Sequence, residues 1–157
     1  MKEDLLNILE GELFYGVDDG VMPVNETSDS ITKIPAFTGN IDSRVMRINN
    51  GREWDEPFDI DIHGFELVSG FRAITIYAHL SHINKNIKPG TIIKAGDVIG
   101  NSGNSGTRES TLGLKSGAHL HWEMILQKGK QEIYLGKDVP NPQLYAMLRR
   151  IFYKASS

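Results

Sequence analysis

The stretch Gly117-Ala118-His119-Leu120-His121-Trp122-Glu123 sets two histidines two positions apart among strand-forming residues. In a strand the side chains alternate between faces, so His119, His121 and Glu123 point one way and Leu120 and Trp122 the other. Two imidazoles side by side can divide their work: one holds a metal through a ring nitrogen while the other, unligated, reaches a water or substrate oxygen beside it. The same spacing also suits a half-exposed strand with polar residues on its wet face, and a lone His-x-His does not separate these readings. Glu123 shares that face and suits either the orientation of one imidazole or an ordinary surface position. Trp122 and Leu120, on the opposite face, read as core.

Other candidates are weaker. In Asp59-Ile60-Asp61-Ile62-His63-Gly64, Asp61 and His63 share a strand face, which suits a makeshift metal pair or a turn-edge histidine. His82 follows Leu80-Ser81 and reads as exposed, and Asp18 and Asp19 read as turn acids. Gly100-Asn101-Ser102-Gly103-Asn104-Ser105-Gly106 is no phosphate loop, because the Gly-Lys-Ser/Thr ending is missing and no helix signal follows.

Composition limits what surrounds these residues. A chain of 157 residues with 39% hydrophobic and 24% charged residues suits one globular domain with a sizeable core. A formal charge of -3 and a pI near 5.9 give no electrostatic reason to expect nucleic acid or an anionic membrane as partner. With no cysteine, any zinc must be held by His, Asp or Glu. Met1 to Glu10 carries three acids and no long apolar run, so it does not read as a signal peptide, and no stretch reaches transmembrane length.

The elements that must position the histidines read mostly as strands. Leu13-Phe14-Tyr15, the turn Asp18-Asp19-Gly20 and Val21-Met22-Pro23-Val24 predict a hairpin. Asn25 to Asn40 reads as an exposed excursion. Strands are predicted at Val45–Ile48, Asp59–Ile62 and Ala73–Ala78, and in short β-branched runs between the turns Pro89-Gly90 and Ala95-Gly96-Asp97. Asn101 to Gly117 reads as a loop, and Lys128-Gly129-Lys130 as a second hairpin turn. Residues 141–153 predict an amphipathic helix packed on the sheet edge: Asn141 can cap, Pro142 suits the first position, and Leu144, Met147, Leu148, Ile151 and Phe152 recur at helical spacing. The expected architecture is all-β, mainly antiparallel, with this one C-terminal helix, as a single domain over residues 1–157.

Four pieces then line up in order: Tyr77-Ala78-His79-Leu80-Ser81; Lys88-Pro89-Gly90 to Ala95-Gly96-Asp97-Val98-Ile99-Gly100; Asn101 to Gly106; and Gly117 to Glu123. Together they resemble the lysostaphin-type (LytM-like) zinc metallopeptidases, the glycyl-glycine endopeptidases that cut peptides of bacterial peptidoglycan. The resemblance is good from about Ala73 to Ile125 and thinner upstream. It implies a partly open antiparallel arrangement whose groove is floored by the strands bearing His79, His119 and His121. It implies that His121 is a zinc ligand and that His79 and His119 are unligated catalytic histidines flanking the metal. It further implies zinc as cofactor, a peptidoglycan peptide as substrate and a periplasmic or extracellular location. The family pattern also carries a His-Gly at the place of His63-Gly64 without a catalytic role, and its glycine-rich run, here Gly100 to Gly106, would be a groove wall close to an extended substrate.

The chain departs from the pattern at one place. The family has two further zinc ligands in a His-x-x-x-Asp motif before its early hairpin, and no histidine occurs here before His63. One alignment sets Leu13 to Met22 on that hairpin and leaves the motif absent; it also accommodates Asp19-Gly20-Val21-Met22. Another sets Phe14-Tyr15-Gly16-Val17-Asp18 on the motif, with Phe14 in the histidine's place and Asp18 kept as a ligand. The expectations are then a start at an internal methionine of a longer enzyme, a degenerate relative, or a substitute ligand. The expected function is zinc-dependent hydrolysis of peptidoglycan peptides, set against a non-catalytic peptidoglycan-binding or regulatory module. Lipoyl and biotinyl carrier domains share the Pro-Gly and Ala-Gly-Asp-Val-Ile hairpin, but this chain shows only one of the two halves they need.

Overall fold

A computed structural model of the chain describes residues 22–24, 33–35, 43–51, 57–64, 66–67, 69–94, 97–114, 119–135 and 152–154. Its strands are β1 (Met22–Val24), β2 (Lys33–Pro35), β3 (Ser43–Asn49), β4 (Asp59–Gly64), β5 (Arg72–Ala78), β6 (Leu80–Ile83), β7 (Ile92–Ile93), β8 (Val98–Ser102), β9 (His121–Lys128), β10 (Gln131–Tyr134) and β11 (Phe152–Lys154). Among the described residues the only helix is a single turn, α1 (Arg108–Thr111). The larger sheet has the order β10-β9-β5-β4-β3-β7 and is antiparallel throughout. A second antiparallel sheet has the order β2-β8-β6, and β1 pairs with β11 in parallel.

Alternation decides which face of the larger sheet is covered. In β4, Ile60, Ile62 and Gly64 are buried while Asp59, Asp61 and His63 are only partly so, as a period of two demands. Register continues that face across the sheet: Ile60 pairs with Tyr77, and Tyr77 with Trp122; Ile62 pairs with Thr75, and Thr75 with Met124. Leu80 and Ile83 of β6 and Ile99 of β8 join Val45, Ile60, Ile62, Tyr77, Met124 and Leu126 in one core. The small sheet therefore lies against one face of the large one. Each fully buried Ile, Leu or Met contributes about 1.5–3 kcal/mol relative to exposure.

The predicted strands at 45–48, 59–62 and 73–78 are present, slightly longer than expected. The β9–β10 hairpin turns at Gly129-Lys130, where Gly129 takes a positive φ of 60°. Leu120 and Trp122 pack against the core, as expected of that face.

Four expectations are corrected. The excursion at 25–40 contains a strand, because Lys33–Pro35 pairs with β8 as the last strand of its sheet, where a proline costs least. The loop at 101–117 contains the end of β8 and the turn α1, which Thr107 caps by accepting from the Ser110 N–H. His79, read as part of a continuous strand, instead falls between β5 and β6. Of the predicted helix at 141–153, residues 141–151 lie outside the described residues, and the helix does not include Phe152 and Tyr153. Those two residues, aromatic and suited to a pleated surface, form β11 with Lys154 on β1. The early hairpin strand Leu13–Tyr15, its turn acids Asp18 and Asp19, and Phe14 also lie outside the described residues.

Candidate active site

The three histidines meet where the chain passes between the two sheets. β5 ends at Ala78 in the larger sheet and β6 begins at Leu80 in the smaller one, so His79 is the single residue at the crossing. It makes the turn with φ of 59°, the only positive φ at a non-glycine residue among those described, a conformation that costs an L-residue about 1–2 kcal/mol. Strain of this kind concentrates at functional sites.

His119 and His121 cross the same seam in parallel fashion. His121 pairs with Ala78 in the larger sheet, whereas His119 forms an isolated bridge to Gly103, just past the end of β8. The His-x-His is thus no uninterrupted strand. Leu120 sits at the break: His121 is anchored to the larger sheet and His119 to the loop that follows β8. The outcome is a cluster: the His79 ring lies 5.0 Å from that of His119, tilted at 55°, and 5.5 Å from that of His121, nearly perpendicular at 81°.

Hydrogen bonds set the tautomers. His79 Nδ1 lies 2.7 Å from the Ser105 carbonyl oxygen; a carbonyl only accepts, so Nδ1 carries the proton and Nε2 is left as the ring's acceptor. His121 Nε2 lies 2.8 Å from Glu123 Oε1. The carboxylate only accepts, so Nε2 donates and Nδ1 keeps its lone pair for a metal or a donor. Both side chains of that pair are more than two-fifths exposed, so the contact orients the ring and adds little to stability.

Two glycines admit this packing. A Cβ on Gly103 would stand 2.6 Å from the Ser81 nitrogen, and one on Gly100 would stand 2.2 Å from the His82 carbonyl oxygen. Side chains there would push β8 and the following loop away from β6. The Gly103 carbonyl also accepts from the His119 N–H at 3.1 Å.

Asp61 and His63 lie on β4, where Asp61 is in register, through Ile76, with Glu123. Burial raises the Asp61 carboxyl above its ordinary value, against the opposing pull of Arg47, whose Nε lies 3.6 Å away. Burial likewise lowers the His63 imidazole, against the opposing charge of Asp61. His82 is exposed, as expected, and joins Ile48, Phe58, Ile87 and Lys88 around an open cleft of about 510 Å³. That cleft is a feature the sequence did not signal, since its walls come from three separate segments.

Among the described residues no three His, Asp or Glu side chains are grouped to hold a metal. His121, with Nδ1 open and Nε2 held by Glu123, fits the role of one ligand.

Residues 65–133 match peptidase family M23. The match covers less than half of the chain. It contains His79, His119, His121, Glu123 and Ser105, and begins just after β4. No curated protein sequence matches the chain. Among solved structures, the chain is similar to a candidate glycyl-glycine endopeptidase LytM from Ruminococcus gnavus, at 22% identity over 88% of this chain and 64% of that one, with a TM-score of 0.48. It is also similar to the SpoIIQ–SpoIIIAH pore-forming complex, at 19% identity over 68% of this chain and 55% of that one, with a TM-score of 0.43. A third is the M23 metalloprotease pseudoalterin from the deep sea, at 15% identity, 80% and 71% coverage and a TM-score of 0.38. The chain spans less than two thirds of the first two.

Proposed function

We propose that this protein is a zinc metallopeptidase-type hydrolase of peptide bonds in bacterial peptidoglycan, acting outside the cytoplasm. The observation that carries the reading is the convergence of His79, His119 and His121 at the sheet seam, within the segment that matches a peptidase family. His121 would hold the metal through Nδ1, with Glu123 fixing its ring. Zinc, when bound, lowers the pKa of a coordinated water and polarises a carbonyl.

The other two imidazoles do the proton work. His79, with its proton on Nδ1, offers Nε2 to take a proton from a water. His119, 5.0 Å away, would hydrogen-bond the oxyanion that develops on the scissile carbonyl.

The test is digestion of purified peptidoglycan with amine release as readout, alongside zinc content by elemental analysis. His121→Ala is expected to lose both zinc and cleavage. His119→Ala is expected to keep zinc and lose cleavage by about 10²–10⁴-fold. Cleavage unaffected by His121→Ala would refute the hydrolase reading, and zinc loss in His119→Ala would refute the division of roles. A chain that binds peptidoglycan without cutting it would be the binding module instead.

A further inference from the structure

We infer that Ser105 is a positioning residue of this site, fixing the tautomer of His79 through its carbonyl and the place of that carbonyl through its hydroxyl. Ser105 is 3% exposed. Its Oγ donates to the Leu80 carbonyl at 2.5 Å and accepts from the Phe58 N–H at 3.1 Å. The Leu80 N–H in turn donates to the Phe58 carbonyl at 3.0 Å. These bonds close a ring through Ser105, Leu80 and Phe58, which ties the loop to β6 and to the segment entering β4.

Leu80 directly follows His79, so Ser105 grips the crossing at two adjacent points: the His79 ring by its main chain and the next peptide by its side chain. A residue held at φ of 59° needs such a grip, because its backbone otherwise relaxes to negative φ. Only a short hydroxyl both donates and accepts here; alanine does neither, leaving a buried N–H and a buried carbonyl without this partner. The same loop carries the Gly103 carbonyl that accepts from His119. Gly103 to Ser105 therefore spaces both imidazoles, and Ser105 is the pin that holds the loop. The consequence for catalysis rests on the proposed function; the consequence for the imidazole does not.

The experiment is nitrogen NMR of the full chain with ¹⁵N-labelled histidine at about pH 8.5, where imidazoles are neutral, with His79 assigned by its loss in His79→Gln. The wild-type ring is expected to carry its proton on Nδ1, the opposite of an imidazole free in water. In Ser105→Ala the tautomer ratio is expected to shift towards Nε2–H by about threefold to tenfold, the size of one lost hydrogen bond. Ser110→Ala is the control: Ser110 is fully buried and its hydroxyl donates to the Thr107 carbonyl at 2.8 Å, in the turn after the loop.

A wild-type proton on Nε2, an unchanged ratio in Ser105→Ala, or an equal shift in Ser110→Ala would each overturn the assignment. If Ser105→Ala does not fold, Ser105→Thr, which keeps the hydroxyl, decides: retention of Nδ1–H supports the role and its loss refutes it. In a cleavage assay Ser105→Ala should lower kcat with zinc content unchanged. Absence of cleavage by the wild-type chain would count against the peptidase reading alone, since the tautomer is measured without it.

Discussion

His79 joins two roles at one residue, since it supplies an imidazole and makes the left-handed turn between sheets. The roles separate by substitution. His79→Gly should be about 1 kcal/mol more stable than His79→Ala in denaturant unfolding, because glycine takes positive φ without a Cβ penalty, while both lose the imidazole. Equal stabilities would show that the turn relaxes. At Gly103 the constraint is space, with a Cβ meeting Ser81 backbone at 2.6 Å. Gly103→Ala is expected to cost about 1–3 kcal/mol and to move His119, visible as a changed His119 ring shift. For Glu123, bonded to His121 at 2.8 Å, Glu123→Gln should weaken zinc binding by about tenfold or more in a chelator competition. An unchanged affinity would mean that the contact does not orient the ligand.

At the scale of elements, β9 carries the site because it lies inside the larger sheet, between β5 and β10. Its inward residues Met124 and Leu126 are buried and its first residue is His121. Leu126 is fully buried, so Leu126→Ala should cost about 2–5 kcal/mol by equilibrium unfolding. A cost below 1 kcal/mol would mean that the core closes over the gap. The strands β3, β4 and β5 were legible in the sequence as short runs rich in β-branched residues, and β9 through the His-x-His run and the Lys128-Gly129-Lys130 turn that follows it. Lys33–Pro35 was not, since a three-residue strand has no room to show a period, and α1 was not, since one turn carries too few residues for helical spacing. Phe152 followed an apparent helical stripe, but pairing with Met22 decided its conformation, and no local pattern reports a partner so distant in sequence.

At the scale of the whole molecule, among the described residues the partly buried groups on β4 contribute to how stability responds to pH. The folded His63 imidazole titrates below its ordinary value. Its contribution to stability is therefore fully present above about pH 6.5 and is lost as pH falls from there through the folded value. His63→Gln should flatten that part of the curve. Asp61 behaves oppositely: its folded carboxyl titrates above the ordinary value, so its contribution is present below about pH 3.8 and is lost as pH rises through the folded value. Asp61→Asn should accordingly lose less stability than the wild type between about pH 4 and 7, measured as unfolding free energy against pH. Steeper loss in either variant would contradict burial as the dominant cause.

The sequence by itself determined the all-β class, the main strands and the core face of β9, because side-chain alternation is a property of neighbours along the chain. It also singled out His79, His119 and His121 as candidates for chemistry. Only the tertiary structure decided that these three come together at a seam: His121 is held by the larger sheet, His119 by the loop after β8, and His79 turns between the sheets. Ser105 became part of the site for the same reason. Its partners, Phe58, His79 and Leu80, lie 47, 26 and 25 positions away, and hydrogen bonds over such separations are set by how the sheets pack rather than by any local spacing.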